Sequence, residues 1–107
     1  MVQELTTAVF DQEVLASEVP VLVDFWSPSC GPCKLQEPAL KELASEAAGQ
    51  FHVAKVNVWD EPDLATRFRI SAVPTLMIFD QGEVVRSLVG YQTKSKLLQA
   101  LQQDTLA

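Results

Sequence analysis

The chain has 107 residues, 48% of them hydrophobic, which is enough for one domain with a substantial core. Eight basic residues against fourteen acidic ones leave a net charge of −6, which argues against nucleic acid as a partner. Met1-Val2-Gln3-Glu4 carries neither a basic region nor a long apolar run. No signal peptide and no membrane span are therefore expected, and the expected setting is a reducing cytoplasm or an organelle interior.

Val2 to Leu5 reads as a short strand. Thr6 or Thr7 can cap a helix carrying Val9, Phe10, Val14 and Leu15. Glu18-Val19-Pro20 breaks it, and the apolar run Val21-Leu22-Val23-Asp24-Phe25-Trp26 reads as a buried strand. Asp24 is out of place there. A carboxyl in such a strand needs a partner or takes up a proton, because burying its charge is costly. Ser27-Pro28-Ser29-Cys30-Gly31-Pro32-Cys33-Lys34 follows, with the only two cysteines of the chain. A helix from Cys33 to about Ala48 comes next, with Leu35, Ala39 and Leu43 at spacings of four. Pro38 interrupts one of its backbone hydrogen bonds and kinks it, Glu37 and Lys41 are spaced to pair, and Gly49 ends it.

Phe51 to Val58 alternates as a strand, with Lys55 among apolar neighbours. Asp60 or Glu61 caps a short helix with Pro62 in its first turn and Leu64, Ala65 and Phe68 inward. Pro74 stands just before the run Leu76 to Phe79, where a strand tolerates proline. Asp80-Gln81-Gly82-Glu83 reads as a hairpin turn into Val84 to Val89. Gly90 follows, where backbone is expected to come close to a partner. Thr93 caps a last helix that turns Leu97, Leu98 and Leu101 to the sheet. The order β-α-β-α-β-α-β-β-α implies an α/β fold, a single mixed sheet with helices on both faces, and a right-handed crossover through the cysteine helix.

The cysteine pair sits where a strand hands over to a helix. Pro32 suits the first helical turn, and Cys30 faces free backbone N–H groups at the positive end of the helix dipole. That setting favours the thiolate, so Cys30 is expected to be exposed and to have the lower pKa. Zinc would need more ligands than this pair and His52 provide, and haem attachment would need His where Lys34 stands. A structural disulfide across so short a loop would contribute only about 2 kcal/mol. A redox pair fits the placement better.

Asp24-Phe25-Trp26 followed by Cys30-Gly31-Pro32-Cys33-Lys34 resembles the thioredoxin family. Pro38, Lys55, Val73-Pro74-Thr75, Gly82 and Gly90 also fall at that family's positions, so the resemblance covers nearly the whole chain, 1–107, as one domain. It implies a protein-disulfide reductase that works by dithiol–disulfide exchange. Cys30 would attack and Cys33 would resolve. Asp24 would be the buried acid that handles the proton of Cys33, and the Lys55 amine would approach Asp24 and tune it. Pro74 would be cis beside the cysteines. The Val73 backbone would be free to pair with an incoming peptide.

The contact surface for the target would comprise Trp26, Ser29, Gly31, Pro32 and Trp59, with Val73, Pro74, Gly90 and Tyr91 across from them. No metal and no bound cofactor are implied beyond the redox-active disulfide Cys30–Cys33. The implied partners are disulfide-containing target proteins and a thioredoxin reductase drawing on NADPH or ferredoxin; nucleic acid and membrane are not among them, and a monomer is expected. Two other readings remain open: a thioredoxin-fold binding or chaperone-like module whose redox activity is incidental, and an oxidant or isomerase.

Four positions depart from the family. Ser29, after Pro28, stands where Trp is usual, and Trp59 where Asp is usual. Ala72 replaces a common Gly and Tyr91 a common small residue. With no ring at Ser29 and a ring at Trp59, two readings stand: Trp59 folds over the gap beside Ser29, or it is one more exposed or half-buried aromatic.

Overall fold

The apolar run 21–26 becomes the central strand of the sheet. The computed structural model describes residues 1–103; residues 104–107, the end of the expected single domain, lie outside the described residues. In chain order the elements are β1 (Gln3–Glu4), α1 (Thr7–Phe10) continued by a π-helical turn (Asp11–Leu15), β2 (Val21–Trp26), α2 (Gly31–Glu46), β3 (His52–Asn57), α3 (Pro62–Arg67), β4 (Thr75–Asp80), β5 (Glu83–Val89) and α4 (Lys94–Gln103). The sheet order is β1-β3-β2-β4-β5. β1, β3 and β2 run parallel, while β4 is antiparallel to both β2 and β5.

Alternation along β2 divides the core between the two faces of the sheet. Val21, Val23 and Phe25 join Leu5, Phe10, Val14, Val56, Leu64 and Phe79 under the first helix and α3. Phe68 closes this side, with its ring 5.2 Å from Phe10, 5.9 Å from Phe25 and 5.3 Å from Phe79. Leu22 faces the other way, with Val53, Leu76 and Ile78, against Leu40 and Leu43 of α2 and Leu97 and Leu101 of α4. Asp24 and Trp26 share that second face with Leu22 because they follow it at even spacing.

Several local expectations need correction. Strand β1 spans only Gln3–Glu4, and the first helix widens into a π turn after Phe10. Helix α2 starts at Gly31 rather than Cys33, and it ends at Glu46 rather than near Ala48. It runs on through Pro38 as one helix. Its buried stripe is Cys33, Gln36, Ala39, Leu40 and Leu43, whereas Leu35 is 68% exposed. Of the expected stripe Ala39 and Leu43 are buried, and only Leu35 falls off it, its place being taken by Gln36. Glu37 and Lys41 make no ion pair with each other; the exposed pairs among the described residues include Arg67–Asp11 and Lys94–Glu42. Glu61 precedes α3 without capping it. Its carboxylate instead accepts hydrogen bonds from the N–H (2.7 Å) and hydroxyl (2.9 Å) of Thr7, and so caps α1 from across the fold.

The hairpin between β4 and β5 turns on Gln81 and Gly82, both at positive φ, which is the geometry of a two-residue turn with left-handed centres. A Cβ on Gly82 would also lie a tight 3.2 Å from the Leu15 carbonyl oxygen, so both φ and space favour glycine there.

Candidate active site

Beyond Trp26 the chain leaves the sheet in a turn closed by Cys30 N–H on the Ser27 carbonyl (3.3 Å). Ser27 is buried, while Pro28 and Ser29 are exposed at the tip. Cys30 then caps α2. Its backbone is extended, and its sulfur accepts the Cys33 N–H at 3.1 Å. This is the role a Ser or Asp oxygen plays at most helix starts, here given to sulfur. Pro32 lies in the first turn, where its missing N–H leaves nothing unsatisfied.

Cys30 and Cys33 are joined in a disulfide with Cα atoms 5.3 Å apart. Cys30 is not the exposed residue the sequence suggested: it is 8% accessible against 3% for Cys33. The ranking of the two holds, but the sulfur is roofed by the loop before β4. There the Val73 carbonyl oxygen lies 3.6 Å from Cys30 Sγ. In the disulfide that sulfur has no proton to donate, so the approach is a contact, and it becomes a hydrogen bond only in the thiol.

The Val73–Pro74 bond is cis, as the resemblance implied. Pro74 is buried and Val73 half-buried. The Pro74 carbonyl accepts the Gly90 N–H at 2.8 Å, which ties the end of β5 to this loop. Gly90 has φ +90, and the space around it is open. Backbone conformation is therefore the reason for glycine within the chain, not a close internal neighbour.

Gln36 was missed by sequence reasoning. It is fully buried on the α2 stripe; its amide donates to the Gln92 carbonyl and its amide oxygen accepts the Gln92 N–H, both at 2.8 Å. These two bonds hold the Gly90–Gln92 loop to the cysteine helix. The signal was available: Gln36 stands three residues after Cys33 and four before Leu40, a polar residue in an apolar line.

Tyr91, on that loop, is 46% exposed. Trp59 is 62% exposed in the turn after β3, where the Asn57 side chain accepts the Trp59 N–H at 2.9 Å. The ring stands in solvent to that extent.

Asp24 is 1% exposed and its Oδ1 has no hydrogen-bond partner. Burial pushes its pKa up to about 7; the Lys55 charge pulls it down, and Glu37 and Glu4 push it further up. Lys55 stands beside Asp24 in register across β2 and β3, yet its ammonium is not bonded to Asp24. It lies 3.9 Å from Glu4 Oε1 and 4.9 Å from the centre of the Trp26 ring. The resemblance implied that the amine approaches Asp24 and tunes it, and its charge does lower the Asp24 pKa, but through space rather than through a bond. Glu4, on the neighbouring strand, offers a half-exposed carboxylate without the cost of full desolvation, and the amine goes there.

The fold also sets where Cys33 lies relative to Asp24. Leu40 packs with Leu22, and Cys33 precedes Leu40 by two helical turns on the same stripe. Seven helical residues cover about 10 Å, and three strand residues cover about the same. Because α2 returns along the sheet from the end of β2, these spacings put Cys33 toward the Asp24–Trp26 end of the strand, and Asp24 shares the Leu22 face that α2 covers.

The described residues contain no cluster of His, Cys, Asp or Glu able to hold a metal ion, and none of their helices is long and apolar enough to cross a membrane. Compared with known families, residues 1–103 match the family described as Thioredoxin. The chain belongs to the thioredoxin family. It is 46% identical over 99 residues to thioredoxin 1 of Nostoc sp., covering 92% of each chain. It is 43% identical over 101 residues to the chloroplastic M-type thioredoxin of Spinacia oleracea, covering 94% of this chain and 56% of that one. It is also 45% identical over 98 residues to a bifunctional thioredoxin reductase/thioredoxin of Mycobacterium leprae, covering 92% of this chain and 21% of the longer one. With the thioredoxin cysteine pair in place and joined, the chain is a protein thiol–disulfide oxidoreductase that reduces disulfides in target proteins by exchange through Cys30 and Cys33.

Proposed function

We propose a division of labour among the site residues. The observation that carries it is a buried carboxyl with an unpartnered Oδ1 at Asp24, on the strand that leads into the sulfur-capped start of the cysteine helix. In the reduced protein Cys30 is the thiolate, favoured by the Cys33 N–H and the helix terminus. It attacks one sulfur of a target disulfide. A Cys30–target bond forms, and the other target sulfur leaves as a thiolate that takes a proton from solvent. Cys33 then passes its proton to Asp24 and attacks Cys30 Sγ. The Cys30–target bond breaks, the target is released reduced by two electrons, and the Cys30–Cys33 disulfide remains. A carboxyl with a pKa near 7 suits this step, because it can both accept and return a proton near neutral pH.

The target segment pairs with the Val73 backbone and rests on Trp26, Gly31, Pro32, Pro74, Gly90 and Tyr91, a strand-addition mode. Trp59 supplies the apolar surface that the Ser29 side chain is too small and polar to offer. A thioredoxin reductase returns the two electrons, a reading supported by the fused reductase of the M. leprae relative. That reductase draws on NADPH or on ferredoxin, and the setting is the cytoplasm or an organelle interior. The catalytic unit is one domain acting as a monomer. The test is trapping: Cys33→Ser should accumulate one equivalent of mixed disulfide with a protein substrate, and Cys30→Ser none. An adduct that forms on Cys33 in the Cys30→Ser variant, and none in the other, would reverse the two roles.

A further inference from the structure

Three parallel strands place three charged residues in one row across the sheet. Asp24 on β2 is in register with Lys55 on β3, and Lys55 is in register with Glu4 on β1. The two end residues therefore face each other through the lysine, about two strand spacings or 10 Å apart. Glu4 has two partners at once: Oε2 accepts the Trp26 indole N–H at 3.1 Å, and Oε1 lies 3.9 Å from Lys55 Nζ. The Lys55 ammonium in turn lies over the Trp26 ring, so carboxylate, indole and ammonium form a closed set at the edge of the buried acid.

We propose that Glu4 is a positioning residue for the exchange reaction: its carboxylate holds the Lys55 ammonium against the Trp26 indole and so sets how much of that positive charge reaches Asp24. The proposal rests on the reading of Asp24 as the proton acceptor for Cys33. With Glu4 in place, Lys55 is drawn toward the β1 side and Asp24 Oδ1 is left without a partner. The other charges facing this region come from α2. Glu37 raises the proton affinity of Asp24, and Lys41 lines the same small cleft as Val2, Glu37, Leu40 and Lys55. From β4, the residue in register with Asp24 is the apolar Leu76, so no further charge enters from that side. Removing the Glu4 charge acts twice in one direction. It deletes a negative charge that favours the protonated acid, and it frees Lys55 to approach the carboxyl.

The test is an NMR titration of the Asp24 carboxyl in the oxidised protein, which needs no substrate. Glu4→Gln keeps an oxygen for the Trp26 N–H and removes only the charge. The Asp24 midpoint should fall by between about 0.3 and 1 pH unit, the range for one charge at this separation between watery and protein-like screening. Asp63→Asn, an equal charge change on α3 at the opposite face, should leave it in place. In a Lys55→Met background the effect of Glu4→Gln should shrink, because the part that acts through the lysine is gone. A midpoint that does not move in Glu4→Gln overturns the proposal. So does an equal shift in both backgrounds, which would mean that Glu4 acts only as a bulk charge. Failure of the underlying reading looks different: Asp24 would titrate as described, yet Asp24→Asn would release target at the normal rate.

Discussion

At the scale of single residues, Asp24 is where stability and chemistry oppose each other. Its pKa is raised in the fold, chiefly by burial, to about 7 from an ordinary value of 3.8. An acid raised in this way favours folding most fully when protonated, below its unfolded pKa. That advantage is lost as pH climbs through the folded pKa, and above about 7 the fold carries a buried charge. At about 1.4 kcal/mol per unit, the span corresponds to a cost on the order of 4 kcal/mol by pH 8. Asp24→Asn should therefore stabilise the oxidised protein by about 2–4 kcal/mol at pH 8 and by little at pH 4. Denaturant melts at both pH values measure this; destabilisation at pH 8 would make Asp24 a structural residue. The two sulfurs should also differ. Although the roof at Val73 leaves Cys30 only slightly more open than Cys33, its sulfur is the one receiving the helix N–H. Alkylation of the reduced protein at mildly acidic pH should label Cys30 well before Cys33, and mass mapping of the adducts decides the order.

At the scale of elements, what the sequence revealed depended on whether a signal was local. The strand 21–26 and the Gln81–Gly82 turn each carry their pattern within a few residues and form where expected, and Pro32 lies in the first turn of α2 although that helix starts at Gly31 rather than Cys33. Lys55 was legible as an oddity, but its ionic partner was not, because Glu4 meets it only through a parallel pairing across 51 positions of chain. Glu61 was read as a local cap, while its carboxylate serves a helix start 54 residues away. Gln36 was overlooked because the apolar Leu35 was taken for the inward residue of the first turns of α2, although Ala39 and Leu43 were placed correctly. That amide yields a prediction of its own. Gln36→Ala leaves the Gln92 N–H and carbonyl without their partners, which should cost about 1–3 kcal/mol in a denaturant melt. The loosened Gly90–Gln92 loop should raise KM for a protein disulfide more than it lowers kcat. Gln36→Leu separates the two effects, since it restores apolar packing but not the tether. If KM is normal in both variants, the tether has no part in target binding. Trp59→Ala belongs at this scale as well, since the turn after β3 presents the ring. KM should rise for protein substrates and stay unchanged for a small disulfide; equal effects on both would exclude an aromatic contact with the target.

At the scale of the whole molecule, the sheet order brings the ends of β2 and β3 and the start of β4 to one edge, where the two cysteines, Val73-Pro74 and Gly90 meet. The helices lie over the two faces of the sheet. The net charge of −6 adds a long-range preference for basic partners, so association with a reductase that bears a basic face should slow as salt rises. The central claim is that Asp24 receives the proton that Cys33 must lose. It is tested most directly by single-turnover release of a trapped mixed disulfide between pH 5 and 9, for the natural protein and for Asp24→Asn. The account predicts an inflection near pH 7 in the natural protein, and in Asp24→Asn a slower release without that inflection. Release at the same rate, with the same inflection in both proteins, would contradict it.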